Sequence, residues 1–258
     1  LTAPYDVAIS GDFAYVSSPN ADAIQVVDVS NPAAPQAVTA LVDGTYLDQA
    51  REIDIVGQYL YVAAQGSGRL TIIDISDPYD LAIVGSTNDL GPGASGARSF
   101  AIKGRYAYIA NTAGDNISVL DISSPGEPRR ISTLADGGGP FPYLQSPTNI
   151  AISGNFAYVS QGTTPLIQIV DISDPYDPVA RGYFNGSDFG VDGWSTIIGY
   201  DVGGKYLYVH SGASLFVVDI SNADAPTYVS HQHFGGINGT YAPANNVVVT
   251  GNTLYFLK

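Results

Sequence analysis

The chain has 258 residues, 24 of them acidic and 10 basic, for a formal charge of −14, and it contains no cysteine. That balance argues against a nucleic-acid partner or an anionic membrane surface, since both need Lys and Arg to displace counterions; the missing thiol removes disulfides, thiolate metal sites and Cys nucleophiles. No run of about 18 apolar residues exists to cross a bilayer, and the chain, starting at Leu1 with no basic-then-apolar leader behind it, is expected to be soluble and either processed or excerpted.

Among the acids only Glu52 and Glu127 are Glu, and Lys occurs three times, so the straight-chain polar residues that cover exposed helix faces are scarce. In their place 29 Gly, 16 Pro and 18 Tyr supply turn residues and aromatic strand residues, and an almost all-β chain is expected. Only 13% of residues are charged, against about 25% in typical globular domains, which leaves Ser, Thr, Asn, Gly and Tyr to cover much of the surface, as is common in secreted β-proteins.

One unit recurs five times and stops partway through a sixth copy. In chain order, an apolar first strand ends on a glycine: DVAISG at Gly11, EIDIVG at Gly57, SFAIKG at Gly104, NIAISG at Gly154, YDVGG at Gly204 and NVVVTG at Gly251. A tight turn leads into the second strand, whose tyrosine lies four residues on, at Tyr15, Tyr61, Tyr108, Tyr158, Tyr208 and Tyr255. Phe13 and Tyr15 lie on one face of this strand, Ala14 and Val16 on the other, so both faces are expected to be buried. The third strand closes on Asp28, Asp74, Asp121, Asp171 and Asp219 and runs into a proline turn; a shorter, more polar fourth strand follows as an edge. Four-stranded sheets of about 45 residues, apolar on both faces and repeated, predict the blades of a β-propeller. The expected organisation is one all-β domain over 1–258, with five complete blades near 4–50, 51–97, 98–146, 147–195 and 196–243 and the first two strands of a sixth at 244–258.

The third-strand motif followed by Ser-Asn/Asp-Pro and a second proline resembles the LVIVD-repeat family of secreted and surface-attached bacterial and archaeal propellers. Asn31-Pro32 with Pro35, Ser124-Pro125 with Pro128, and Asp174-Pro175 with Pro178 keep the motif complete; Asp77-Pro78 is followed by Leu81 instead of proline, and Asn222 by Ala223 although Pro226 is kept. The resemblance spans nearly the whole chain and implies a propeller at an extracellular or cell-surface location. It implies little about a reaction.

Each closing Asp precedes a Ser and a turn, where its side chain can accept backbone N–H groups; five copies call for five turns, not for a ring of metal-binding or acid/base carboxylates. Chemistry that varies lies instead in the links from fourth strand to next blade, which are long and dissimilar. They carry the candidate ligand-binding residues Tyr46, Asp48, Tyr143, Asp188, Asp192, Trp194 and Tyr241, with further aromatics at Phe141, Phe189 and Phe234 and acids at Asp43, Asp89 and Asp136. Aromatic faces beside carboxylates and amides suit a neutral sugar; the competing reading is that the aromatics anchor their own loops. Trp194, the only Trp, has no evident counterpart in the other repeats, and with Tyr143 it is expected to supply most of the contact area of any neutral ligand. His210, His231 and His233 all fall in the fifth blade, but with His210 two strands from the pair no metal is assigned. Sequons stand at Asn116, Asn185 and Asn238. No Gly-x-Ser-x-Gly elbow, His-Glu-x-x-His helix or phosphate loop occurs, and no catalytic residue or cofactor is assigned.

These features favour a non-catalytic extracellular module for binding, adhesion or surface assembly, with protein subunits or neutral glycans as partners. A propeller enzyme (lactonase, lyase or glycoside hydrolase) using loop-face Asp residues is the alternative, and would need converging carboxylates with shifted pKa values. A third expectation follows from the unfinished sixth copy: the edge Leu254–Lys258 either is completed by more of a longer chain or self-associates by accepting a strand from another subunit, as a surface fibre would.

Overall fold

The computed structural model describes residues 3–91, 96–135, 144–190, 194, 197–234, 246–251 and 253–257. It shows five four-stranded antiparallel sheets and one two-stranded sheet, each meandering in chain order. Blade 1 is β1 (Val7–Ser10), β2 (Phe13–Ser18), β3 (Ala23–Asp28) and β4 (Gln36–Val42); blade 2 is β5 (Ala50–Val56), β6 (Tyr59–Ala64), β7 (Arg69–Asp74) and β8 (Ala82–Thr87). Blade 3 is β9 (Ala97–Lys103), β10 (Tyr106–Asn111), β11 (Asn116–Asp121) and β12 (Arg129–Ala135); blade 4 is β13 (Pro147–Ser153), β14 (Phe156–Gln161), β15 (Leu166–Asp171) and β16 (Val179–Asn185). Blade 5 is β17 (Ile197–Gly203), β18 (Tyr206–Ser211), β19 (Ser214–Asp219) and β20 (Thr227–His233), and β21 (Asn246–Thr250) pairs with β22 (Thr253–Leu257). Helix is confined, among the described residues, to the single turns Pro19–Ala21 and Gly186–Phe189, and none is long and apolar enough to cross a membrane. The chain forms two compact units, Leu1–Thr133 and Leu134–Lys258.

Backbone conformation explains the hairpin glycines. Strands pair directly across two-residue loops, as in Ser10↔Phe13, Val56↔Tyr59 and Ser153↔Phe156. Gly11, Gly57, Gly104, Gly154, Gly204 and Gly251 all have φ between 56° and 63°, the left-handed first position of a hairpin turn. A Cβ at any of them would meet nothing within 4 Å, so φ and not space selects glycine.

Tyr15, Tyr61, Tyr108 and Tyr158 are at most 3% exposed, as expected of a strand sandwiched between sheets. Cores form between consecutive blades: Tyr15, Ile24 and Val26 pack with Leu60, Val62 and Ile73; Tyr61, Leu70 and Ile72 with Phe100, Ile109 and Leu120; Tyr158, Ile167 and Ile169 with Leu207, Val209 and Phe216. Each such side chain, fully buried, contributes about 1.5–3 kcal/mol. Fourth strands form one edge of every complete sheet, and β4, β8, β16 and β20 each carry a register break against their third strand, which twists the edge away from further pairing.

Polar bonds tie neighbouring blades at their first strands. Tyr200 donates its hydroxyl to the carbonyls of Asn149 (2.6 Å) and Tyr158 (2.7 Å), while Asp6 and Asp201 accept the N–H of Ile53 (3.0 Å) and Val249 (2.8 Å) in the blade that follows.

Candidate functional site

At the turn ends of the blades the closing aspartates do one job five times. The N–H of Ser30, Ser76, Ser123, Ser173 and Ser221 donates to Oδ1 of Asp28, Asp74, Asp121, Asp171 and Asp219 at 2.8–3.0 Å. The other oxygen takes a cation in three blades: Arg105 on Asp121, Arg181 on Asp171 and Lys205 on Asp219. Hydrogen bonds from the following serine hold Asp171 down to about 2, and the Lys205 ammonium with Ser221 does the same for Asp219. These carboxylates stay charged and occupied, and build turns.

The loop ends hide a second repeat. Leu47 and Leu144, at most 3% exposed, and Trp194 each stand ten residues before a hairpin glycine. Trp194 therefore does have repeat counterparts, contrary to expectation, and they are loop anchors sunk into the blades. Its indole N–H donates to Pro165 O at 2.7 Å, its ring lies 4.8 Å from that of Phe216 and 6.3 Å from that of Phe184, and it packs so closely on Gly186 that a Cβ there would overlap it. Two residues after the anchor position the chain turns left-handed, with φ of 52° at Gln49, 51° at Ser146 and 110° at Gly96; Ala3, at the same place before Gly11, has 56°. The carbonyls of Gln49, Gly96 and Ser146 receive N–H groups from just beyond the second strand, at Gln65, Thr112 and Gly162. A third-strand residue, three before the closing Asp, holds the loop from below: Thr71 donates to Tyr46 O (2.6 Å), Ser118 to Leu90 O, and Phe216 meets Trp194. Counting back from the glycines would have found this framework; amino-acid type alone conceals it, because Leu, Leu and Trp share only bulk.

The loop acids are engaged likewise. Asp43 accepts from the N–H of Thr45 and Tyr46, Asp22 from that of Gln49, and Asp89 pairs with Arg130 at 3.0 Å. Asp188 and Asn185 form a reciprocal capping box at the Gly186–Phe189 turn. Asp48 is half-buried, its carboxylate lying where a side chain on Gly66 would be. Tyr46 remains open: it is 38% exposed, with the Arg69 guanidinium 5.3 Å from its ring centroid. Thus Tyr46 and Asp48 share the loop from blade 1 to blade 2, and Asp188 and Trp194 share that from blade 4 to blade 5. Tyr143, Asp192, Tyr241 and Asn238, with Asp136 and Phe141, lie outside the described residues. Of the other sequons, Asn185 is the helix-turn cap, and Asn116 is 1% exposed with its amide donating to Gly114 O (2.9 Å), so the folded blade closes that sequon to a glycan.

Sequence reasoning missed the acids of the first strands. Asp6, Glu52 and Asp54 sit on the neighbouring strand starts of blades 1 and 2; Glu52 accepts from the Ser99 hydroxyl and the Phe100 N–H of blade 3. Burial raises the pKa of all three, and the charges of Asp6 and Asp54 push Glu52 further, well above the usual carboxylate range. Glu52 is half-buried and Asp54 exposed by surface area, so both reach water, yet the crowding strands disfavour their charge. The only sequence signal was two acids, EID, on an otherwise apolar strand.

The histidines are separate groups. His210 is 5% exposed, and burial lowers its pKa. His231 Nδ1 meets the Tyr228 hydroxyl at 2.6 Å and His233 Nδ1 that of Ser214 at 3.0 Å. Among the described residues no three His, Asp or Glu side chains are grouped to hold a metal.

The sequence profile of the LVIVD repeat matches residues 4–41, 48–89, 94–134, 146–185 and 201–231. The chain belongs to the LVIVD-repeat family. Its five matched repeats coincide with the five four-stranded blades, and the chain is an all-β protein of propeller blades. No curated protein matches it. Solved structures similar to this LVIVD-repeat chain include a provisionally assigned 6-phosphogluconolactonase from Bacteroides uniformis (13% identity, TM-score 0.71, covering 94% of this chain and 73% of that one). Another protein with the same provisional assignment, from Bacteroides fragilis, is 17% identical with a TM-score of 0.69 over 88% of this chain and 69% of its own. A protein of unknown function from Desulfotomaculum acetoxidans is 17% identical with a TM-score of 0.67 over 90% and 70%. At these identities the likeness is one of fold.

Proposed function

We propose that this LVIVD-repeat propeller is a non-catalytic binding module, working outside the cell or on its surface, that uses its variable loop ends to hold neutral glycans or protein partners. The observation that carries this reading is the contrast at the loop ends: Asp22, Asp43, Asp89 and Asp188 are tied into loop-building bonds, while the Tyr46 ring is offered to solvent over Arg69. A fixed aromatic face beside polar groups is a binding surface, whereas acid/base chemistry needs carboxylates free to exchange protons. The low charge density supports an extracellular setting. A glycan array and a peptide array, probed with wild type and Tyr46→Ala, test the reading; binding that Tyr46→Ala weakens without changing the urea midpoint supports it, and binding indifferent to the loop variant sinks it.

A second reading, a propeller enzyme, draws on one observation: Asp6, just before β1, and Glu52 and Asp54 on β5 interact with raised pKa values. The fold shared with provisionally assigned 6-phosphogluconolactonases is consistent with it. Lactone hydrolysis by wild type, abolished by Glu52→Gln, would replace the binding reading with this one.

A further inference from the structure

In blades 1, 2, 4 and 5 the residue two places into the proline turn carries a side chain, at Ala33, Tyr79, Tyr176 and Asp224, and its N–H donates to Asn31, Asp77, Asp174 or Asn222. Tyr79 reaches back to the preceding blade, its ring meeting that of Phe13 edge-on at 5.8 Å. Blade 3 has Gly126 at this place and Ser124 at the acceptor place, and among the described residues the Gly126 N–H meets no acceptor. Beside this turn lies an open groove of about 520 Å³, lined by Ser86 of blade 2 and by Asp121, Ser124, Gly126, Glu127 and Arg129 of blade 3. Its walls are held close, because Gly85 of β8 touches the Pro125 carbonyl where any Cβ would overlap it. The neighbouring cations Arg105 and Arg130 are paired with Asp121 and Asp89, but Arg129 and Glu127 form no ion pair among the described residues.

We infer that this groove, at the turn ends and apart from the loop surface proposed above, binds a small zwitterion: an α-amino acid or a short peptide carrying both a carboxylate and an ammonium group. Arg129, the Gly126 N–H and the Ser124 hydroxyl are donors suited to the carboxylate, since a guanidinium with an adjacent backbone N–H favours a planar anion. Glu127 supplies the opposite charge for the ammonium. Two unpaired charges of opposite sign beside one polar groove discriminate against a simple anion, a simple cation and a neutral sugar alike.

The test is amide chemical-shift mapping of ¹⁵N-labelled protein titrated with alanyl-alanine, with acetate and methylammonium as single-charge probes. Saturable shifts at Gly126, Glu127 and Arg129 are expected with the dipeptide, and affinity about tenfold weaker or less with either single-charge probe. Gly126→Tyr, which copies blades 2 and 4 at a residue without positive φ, should abolish the shifts while leaving the urea midpoint unchanged, and Arg129→Gln should weaken binding without closing the groove. The absence of saturable shifts, an equal response to acetate, or dipeptide binding that survives Gly126→Tyr each overturns the assignment.

Discussion

The turn ends and the first strands of the same blades treat acidic side chains in opposite ways. At the turn ends, five aspartates are held in their charged form by serine N–H groups, three of them also by Arg or Lys, and every copy makes the same serine bond. On the first strands, which start from the loop ends, Asp6, Glu52 and Asp54 are crowded by protein and by one another, and the folded state favours their protonated forms. Repetition therefore accompanies charge that stabilises the fold. These acids of blades 1 and 2, where blades 3 and 4 carry Ser99 and Asn149 at the place of Asp6 and Glu52, are charged at the fold's expense, and such groups are where chemistry beyond folding has room to sit.

Four measurements break or sharpen that contrast. The largest effect belongs to the loop anchors: Leu47→Ala removes a fully buried side chain and should cost about 2–5 kcal/mol in urea unfolding, with Tyr46 losing its fixed place over Arg69. A cost no larger than that of a surface change would show that the loop is held by its hydrogen bonds alone. Next comes acid titration of the turn ends. Lowered carboxylates contribute stability that is complete above their ordinary range near 3.8 and lost as pH falls toward about 2, so the unfolding midpoint should drop across that window, and Asp171→Asn should shrink the drop. The first-strand acids should behave in the reverse sense. Because their pKa values are raised, they oppose folding above those values and cease to do so as pH falls. Glu52→Gln, which keeps an acceptor for Phe100 N–H, should then raise the midpoint at pH 7 and lose its advantage where Glu52 is itself protonated; an unchanged midpoint at pH 7 would mean that its charge is not opposed. The smallest effect is at the left-handed turn: Gln49→Gly relieves a φ of 52° and should gain at most about 1 kcal/mol, offset by the added freedom of glycine when unfolded.

Fold was legible in the sequence because three markers, the hairpin glycine, the strand tyrosine and the closing aspartate, each answer to a local cause: a left-handed φ, a doubly buried strand and a serine N–H. Those causes act within a few residues and leave the same letter in each copy. The candidate site was legible only in outline. Trp194 looked unique because its counterparts Leu47 and Leu144 fill the same hole with a different shape, and packing constrains volume more than identity. Asp6 and Glu52 were overlooked because their partners, the N–H groups of Ile53 and Phe100, come from the next blade, 47 and 48 residues along the chain. A glycine in a turn such as Gly126 carries no signal of its own; only its counterpart Tyr79, whose ring meets Phe13 of the preceding blade, shows what a side chain can do there.

The anchor and the left-handed residue stand at a constant distance from the hairpin glycine although the links before them differ in sequence and in length. Segments inserted upstream of the anchor, for example between Val42 and Leu47, thus leave the register of the following blade untouched. A lineage of such proteins can exchange whole recognition surfaces by insertion and deletion in this one interval, and a combinatorial library confined to it would vary specificity without re-solving the folding problem.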